Sequence, residues 1–424
     1  IVKLLKEDFI TNVVPIVCSS QDSPSFMLKC LQEGAADFIL KPLSADVIKT
    51  LFLNVTRYKI EKSQPTLENI NEITNKYTTE ECDKQDGQVW LKFKGRLKSV
   101  FEREHCQICS WNFLPLDLDN QDLIQIVFII LNHVLFTFNE LESLRVPSGD
   151  LYHFIFDICN SYHSANPYHN FRHAVDVLQA NYYFLCKIGA IEPMCPDITF
   201  DEFTCKNNDD SHSYSIKDLL EPLDIFALLM ASIGHDVGHP GVTTSTPLAI
   251  LYNDKSVLES FHSMFFFHLV NEHCFSKLTD TRSNPEYASF RKIVVNSILA
   301  TDMSMHDEYV QKIKNQAERL RQNKINFNDK VACEKEKILL CSALIKCADI
   351  SNCARPFESA KRWAKILAEE FFEQGDLERE LGLTILPINE RGKIPLEDFQ
   401  LGFKRFVALK LFDSVSETTP CKHF

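Results

Sequence analysis

A mainly α-helical protein is predicted, with a small partial α/β segment at its N-terminus. Three observations carry that reading. From about residue 90 onward, apolar residues recur at spacings of three and four, most clearly over 121–141, 218–234, 288–300, 334–348, 356–372 and 396–413. This is the period of helices that bury one face. Before residue 60 the pattern differs: short β-branched runs alternate with amphipathic stretches. Between them, residues 61–88 are polar and lack strong periodicity. The expected organisation is an α/β segment over 1–60, a linker over 61–88 and a compact multi-helical domain over 89–424. That domain is too large for a simple four-helix bundle.

The N-terminal elements follow in order. "VVPIVCSS" (13–20) is β-branched and reads as a buried strand. "PSFMLKCLQEGA" (24–35) has helical spacing at Phe26, Leu28 and Leu31 and stops at Gly34. "ADFILKPL" (36–43) is a second strand, and "ADVIKTLFLNVTRYK" (45–59) a second amphipathic helix. Strand–helix–strand–helix implies a parallel layer. The segment resembles the C-terminal half of a response-regulator receiver domain, with Ser19 or Ser20 at the switch hydroxyl and Lys41-Pro42 at the family's Lys-Pro. The strands that would carry the acceptor aspartate are not in the chain, so phosphotransfer is not expected of it. A pseudo-receiver fits the same residues.

Composition bounds the function. Hydrophobic residues make up 45% and charged residues 24% of the 424 residues, ordinary values for a soluble globular protein. The 32 phenylalanines can supply aromatic cores. The 12 glycines, with no GxGxxG or GxxxxGK run, argue against a glycine-rich phosphate cradle. A net charge of −13 argues against nucleic-acid partners, which select basic faces. An anionic substrate would then need bound divalent metal to attract it.

The 15 cysteines show no regular spacing; Cys341 and Cys347 lie in apolar helical runs, so buried thiols in a reducing cytoplasm are expected. Cys106 and Cys109 form one CxxC without a second, read as a helix face and not a zinc knuckle. The nearest approach to a membrane span, Leu123 to Phe138, is interrupted by Asn132 and His133 and reads as a core helix. No membrane association and no signal peptide are expected. The chain starts at Ile1 in mid-pattern, as a fragment would.

Within the helical part, "NPYHNFRHAVDV" (166–177) places His169 and His173 four residues apart. Asn166 is a candidate cap with Pro167 at the first helical position; the helix is expected to begin between there and Phe171, with His173 in an early turn and His169 one turn earlier or just outside, on the same side. The buried run "LDIFALLMASI" (223–233) leads directly into Gly234, His235, Asp236, Val237, Gly238 and His239. A buried carboxylate needs a partner, and adjacent imidazole and carboxylate suit a divalent ion. "KILLCSALIKCAD" (337–349) ends on Asp349, at the negative end of its helix dipole, where a cation would remove the penalty. His173, His235, Asp236 and Asp349 together make a believable metal shell with room for water.

The motifs HNxxH, HDxxHPG, "LATDMS" (299–304), "CADISN" (347–352) and "EEFFEQGDLERE" (369–380) occur in this order. Over residues 105–415 the chain resembles the HD-type catalytic domain of class I 3′,5′-cyclic-nucleotide phosphodiesterases. "HDVGHPG" with an upstream receiver-like segment is most similar to the fungal high-affinity cAMP enzymes. The resemblance implies two metal ions, zinc and magnesium or manganese. His173, His235, Asp236 and Asp349 would bind the first, and Asp236 would bridge to the second. His239, Glu259 and Thr301 would hold the water shell of the second ion. His169 would be the general acid. Gln400 would hydrogen-bond the purine with Asn352 beside it, while Phe403 and Leu367 would pack on its two faces. The implied substrate is cAMP, with cGMP as the alternative, and the candidate assembly is a homodimer.

One departure stands out. "HPGVTTSTPLAILYND" (239–254) is about six residues shorter than the family pattern, with Thr243 or Thr244 where that pattern has Asn. This keeps a degenerate cyclic-nucleotide-binding scaffold, or another HD-type phosphohydrolase, as alternatives. Trp90, Trp111 and Trp363 read as core, His153, His163, His262 and His268 as structural, and Lys361, Arg362 and Lys365 as a solvated helix face.

Overall fold

The computed structural model describes residues 16–19, 37–40, 108–194, 216–241, 252–327 and 329–418. The chain divides into two compact units, Ile1–Gly95 with Thr244–Asn253, and Arg96–Thr243 with Asp254–Phe424. In the first unit β1 (Ile16–Ser19) and β2 (Asp37–Leu40) pair in parallel, Ile16 opposite Asp37 and Ser19 opposite Leu40. Both strands fall inside the predicted runs. The two N-terminal helices, the linker, Trp90, Cys106, the acidic and polar stretch 197–215 expected from sequence to be a surface loop, and residues 242–251 lie outside the described residues.

The second unit is built from helices. α1 (Asn120–Thr137) is opened by Asp119, whose carboxylate accepts the Asp122 amide at 2.8 Å. By length and composition alone α1 could cross a membrane; half of it is buried, against α2 (Ser148–Ser161) and α3 (Phe171–Lys187). α4 (Pro222–Gly234) starts with Pro222 behind a reciprocal Glu221–Asp224 capping box and is buried from Asp224 to Gly234. Then come α5 (Val257–Glu272), α6 (Ala288–Ala300), α7 (His306–Arg321) and α8 (Lys330–Asp349). The chain continues through α9 (Phe357–Glu380), α10 (Leu396–Phe403), a π-helical turn at Lys404–Ala408, and α11 (Leu409–Ser416).

The centre is the mutual packing of α3, α4, α6 and α8. Phe226 anchors it, with ring centroids 5.5 Å from Phe275 and 6.3 Å from Phe290. Two buried cationic side chains of this core are paired. Lys337 Nζ meets Asp224 at 2.9 Å, and Arg355 Nη2 donates to Asp176 at 2.9 Å and to Gln179 at 2.7 Å. Cys341 and Cys347 are buried thiols, as expected. Trp363 is core, but Trp111 is only half-buried: its indole donates to the Ala354 carbonyl, and the Arg355 guanidinium lies 4.2 Å from its ring centroid.

The expected cap of α3 is corrected. The helix begins at Phe171, and Asn170 caps it by accepting the Arg172 amide at 3.0 Å. Asn166 instead donates to the carbonyls of His169 and His239. The amides of Tyr168 and His169 are drawn to the Glu370 carboxylate, a stronger acceptor than a neutral carbonyl. That holds both residues outside the helix.

Candidate active site

Three helix ends converge. α4 stops at Gly234 and presents His235 and Asp236; α8 stops at Asp349; His173 lies in the first turn of α3. His173 Nε2 is 3.1 Å from Asp349 Oδ1 and 3.7 Å from Asp236 Oδ2. His235 Nε2 is 3.1 Å from Asp236 Oδ2 and 3.5 Å from Asp349 Oδ1. Donors bound tetrahedrally at ~2.0–2.2 Å stand about 3.3–3.6 Å apart, and these separations lie within a few tenths of an ångström of that; the donor atoms of His173, His235 and Asp236 all lie within 4.8 Å of one another. His235 Nδ1 donates to the Ser232 carbonyl at 2.9 Å. This turns Nε2 inward, where it is buried and has no hydrogen-bond partner. The four side chains could therefore hold a divalent cation.

Electrostatics agree. Burial alone would raise Asp236 and Asp349, but the surrounding histidines hold both well below the usual carboxylate range. Burial opposes charge on His235, yet Asp236 and Asp349 raise it well above the ordinary imidazole value.

Next to this cage is a histidine stack. The His239 ring lies 4.1 Å from His169 and 5.5 Å from His262. Burial and the neighbouring imidazole of His169 hold His239 well below the ordinary value, so it is neutral. Its Nδ1 accepts the Gly241 amide at 3.1 Å, which leaves hydrogen on Nε2. Gly241 has φ +78°, and a Cβ there would sit 2.3 Å from Asn166 Oδ1, so only glycine fits. His262 is read from sequence as structural. It donates Nδ1 to the Val237 carbonyl at 2.9 Å and stays neutral, pushed down by burial to about 4, while its Nε2 is 3.9 Å from Asp236.

Glu259 stands in the first turn of α5; burial, then the charges of Asp302, Asp236 and Asp349, push it up to about 7. Thr301 caps α6 and donates to the Ile298 carbonyl.

His169 pairs through Nδ1 with Glu370 Oε1, and Glu370 Oε2 accepts the amides of Tyr168 at 2.7 Å and His169 at 3.0 Å. Burial works against charge on His169, but the Glu370 hydrogen bond and the charges of Asp236, Glu370 and Asp349 outweigh it and raise its pKa. Glu370 is the residue sequence reasoning missed. It lies within "EEFFEQGDLERE", where the available signal was a carboxylate on the apolar side of an amphipathic helix. Tyr168 was missed too: its ring lies 4.5 Å from His173 and its hydroxyl accepts from Asn352 Nδ2 at 2.5 Å.

The expected purine contacts stand apart. Leu367 lies on α9, and Gln400 and Phe403 on α10, with Phe403 against Phe399 and Phe399 against Phe371. Among the described residues no hydrogen bond or ring contact joins them to the histidine cluster. Asn352 is on the cluster side, tied to Tyr168 and to the Asp349 carbonyl.

Comparison with known proteins places this geometry. The family model "3'5'-cyclic nucleotide phosphodiesterase" matches residues 168–423. The chain is 31% identical over 294 residues to the human high affinity cAMP-specific and IBMX-insensitive 3′,5′-cyclic phosphodiesterase 8A, covering 65% of this chain and 32% of that protein. It is 31% identical to the 3′,5′-cyclic-nucleotide phosphodiesterase regA of Dictyostelium discoideum, covering 73% of this chain and 35% of that protein. The chain thus spans about a third of the length of these curated relatives. Among solved structures, LmjPDEB1 in complex with IBMX matches with TM-score 0.60 at 25% identity, covering 76% of this chain and 90% of that one. The match spans both the histidine–aspartate cage and α10, and the chain belongs to the 3′,5′-cyclic nucleotide phosphodiesterase family.

Proposed function

We propose that the chain hydrolyses the 3′ phosphoester bond of a 3′,5′-cyclic nucleotide, with cAMP favoured, to give the 5′-monophosphate. The observation that carries this is the meeting of His173, His235, Asp236 and Asp349 beside the His169–Glu370 pair. The four donors would hold a first divalent ion, zinc by their imidazole and carboxylate chemistry. His239, Glu259 and Thr301 would face the water around a second, magnesium or manganese. When bound, two such ions neutralise a phosphodiester and make water a nucleophile near neutral pH.

The chain's own groups do the rest. His169, held by Glu370, keeps a proton that the departing 3′ oxygen needs. Neutral His239 offers an Nε2 hydrogen to water. Gln400 would hydrogen-bond the purine, with Phe403 and Leu367 on its faces and Asn352 at the cage side. The preference for cAMP is supported by the human relative, a cAMP-specific phosphodiesterase by name, and by the resemblance of "HDVGHPG" to the fungal enzymes. A cytoplasmic location, a homodimer and the 1–60, 61–88 and 89–424 division belong to the same reading. The parallel β1–β2 pair supports a receiver-like N-terminal segment.

The test is turnover of cAMP and cGMP by protein loaded with zinc and magnesium. His169→Ala should lose most turnover while its zinc content stays. A well-folded sample that takes up no divalent ion refutes the proposal. Tight cAMP binding without AMP release would instead mark a scaffold.

A further inference from the structure

The QGD part of "EEFFEQGDLERE" has no role in the chemistry, yet Gly375 sits inside α9, where glycine costs about 1 kcal/mol relative to alanine. Its φ is not left-handed, so conformational freedom does not explain it. Space does: a Cβ at Gly375 would lie 2.0 Å from the Asn389 carbonyl oxygen. Asn389 belongs to the segment 381–395 that joins α9 to α10, long for a loop without regular structure.

That segment is seated on α9 at several points. Asn389 is buried and its Nδ2 is 3.3 Å from Glu378 Oε2. Arg391 grips Glu369 with two nitrogens, at 2.8 and 3.1 Å, and Asp376 with a third at 2.8 Å. Its guanidinium lies 5.1 Å from the Phe372 ring centroid. Glu369, Phe372 and Asp376 share one side of α9, while Glu370 on another reaches His169. Between segment and helix is a cavity of about 240 Å³ lined by Phe371, Phe372, Ile388, Ile394, Leu396 and Phe399. Phe399 is the residue before Gln400. α9 therefore holds the general-acid pair on one side and the approach to α10 on the other.

We propose that Gly375, Asn389 and Arg391 are positioning residues: by seating 381–395 on α9 they set where Gln400 and Phe403 stand, and so the affinity for the purine. This rests on the reading that Gln400 and Phe403 hold the base. The test compares Gly375→Ala, Arg391→Met and Gln400→Ala by cAMP kinetics, zinc content, and hydrogen exchange over 396–403. Alanine favours the helix, so a loss in Gly375→Ala must come from the displaced segment.

Gly375→Ala should raise KM about tenfold with kcat within about twofold, faster exchange over 396–403, and unchanged zinc. Arg391 is 44% exposed and its ion pairs are correspondingly weak, so Arg391→Met should raise KM about two- to threefold. It carries the test should Gly375→Ala not fold. Unchanged KM and exchange in the folded variants, while Gln400→Ala raises KM, overturns the positioning role. Unchanged KM in Gln400→Ala overturns the purine reading beneath it.

Discussion

Replacing Glu370 by Gln isolates the charge that holds His169. The side chain keeps its size and loses one negative charge next to His169 Nδ1. Glutamine has a single oxygen. If it keeps the amides of Tyr168 and His169, its NH₂ faces the ring, and Nδ1 must then accept instead of donate. The neutral imidazole is favoured. Opposite unit charges about 4 Å apart interact by ~4 kcal/mol at an effective dielectric of 20. The His169 side chain is 25% exposed, so about half of that, ~2 kcal/mol, is a fair expectation after screening. This corresponds to about 1.5 pH units. The sign follows from the direction of the shift: Glu370 raises His169, so its loss lowers the pKa. The acid form is then lost at lower pH. The alkaline limb of kcat against pH should move down by about 1.5 units, in step with the His169 imidazole followed by ¹³C NMR. An unmoved limb in a folded, metal-loaded Glu370→Gln protein would refute the reasoning.

Two more expectations follow from the buried charges. In the metal-free protein His235 is raised well above its ordinary pKa and holds a proton at neutral pH; a metal needs that lone pair, so zinc binding should release about one proton. Calorimetry in buffers of different ionisation enthalpy measures it, and no buffer dependence would contradict the assignment of His235. Arg355→Met strands Asp176, which burial already raises above the usual carboxylate range. Denaturant titration should show a loss of ~3–5 kcal/mol, with a substantial part restored in Arg355→Met with Asp176→Leu; equal stability of wild type and single variant would show that the pair is not needed.

Much of the helical frame is legible in the periodicity. The runs at 121–141, 288–300 and 334–348 correspond to α1, α6 and α8. α5 and α7 are not conspicuous there: α5 mixes phenylalanine around much of its circumference, and α7 is dominated by charged residues. The cap of α3 is misread as Asn166, at the early end of the expected range, because a tertiary partner, Glu370, takes the amides that a helix would have used. A local capping rule has no access to a carboxylate some 200 positions away. The candidate metal donors are legible because each closes or opens a helix where an ionisable residue has no local reason to be.

By itself, then, the order of residue types determined the helical period of most elements and the chemical kind of donor where α4 and α8 end. Tertiary structure alone decided that His173 and Asp349, 176 positions apart, come within 3.1 Å, and that Glu370 faces His169. Chain sequence sets which groups stand on a helix face, but the direction in which that face points is settled only when the helices pack.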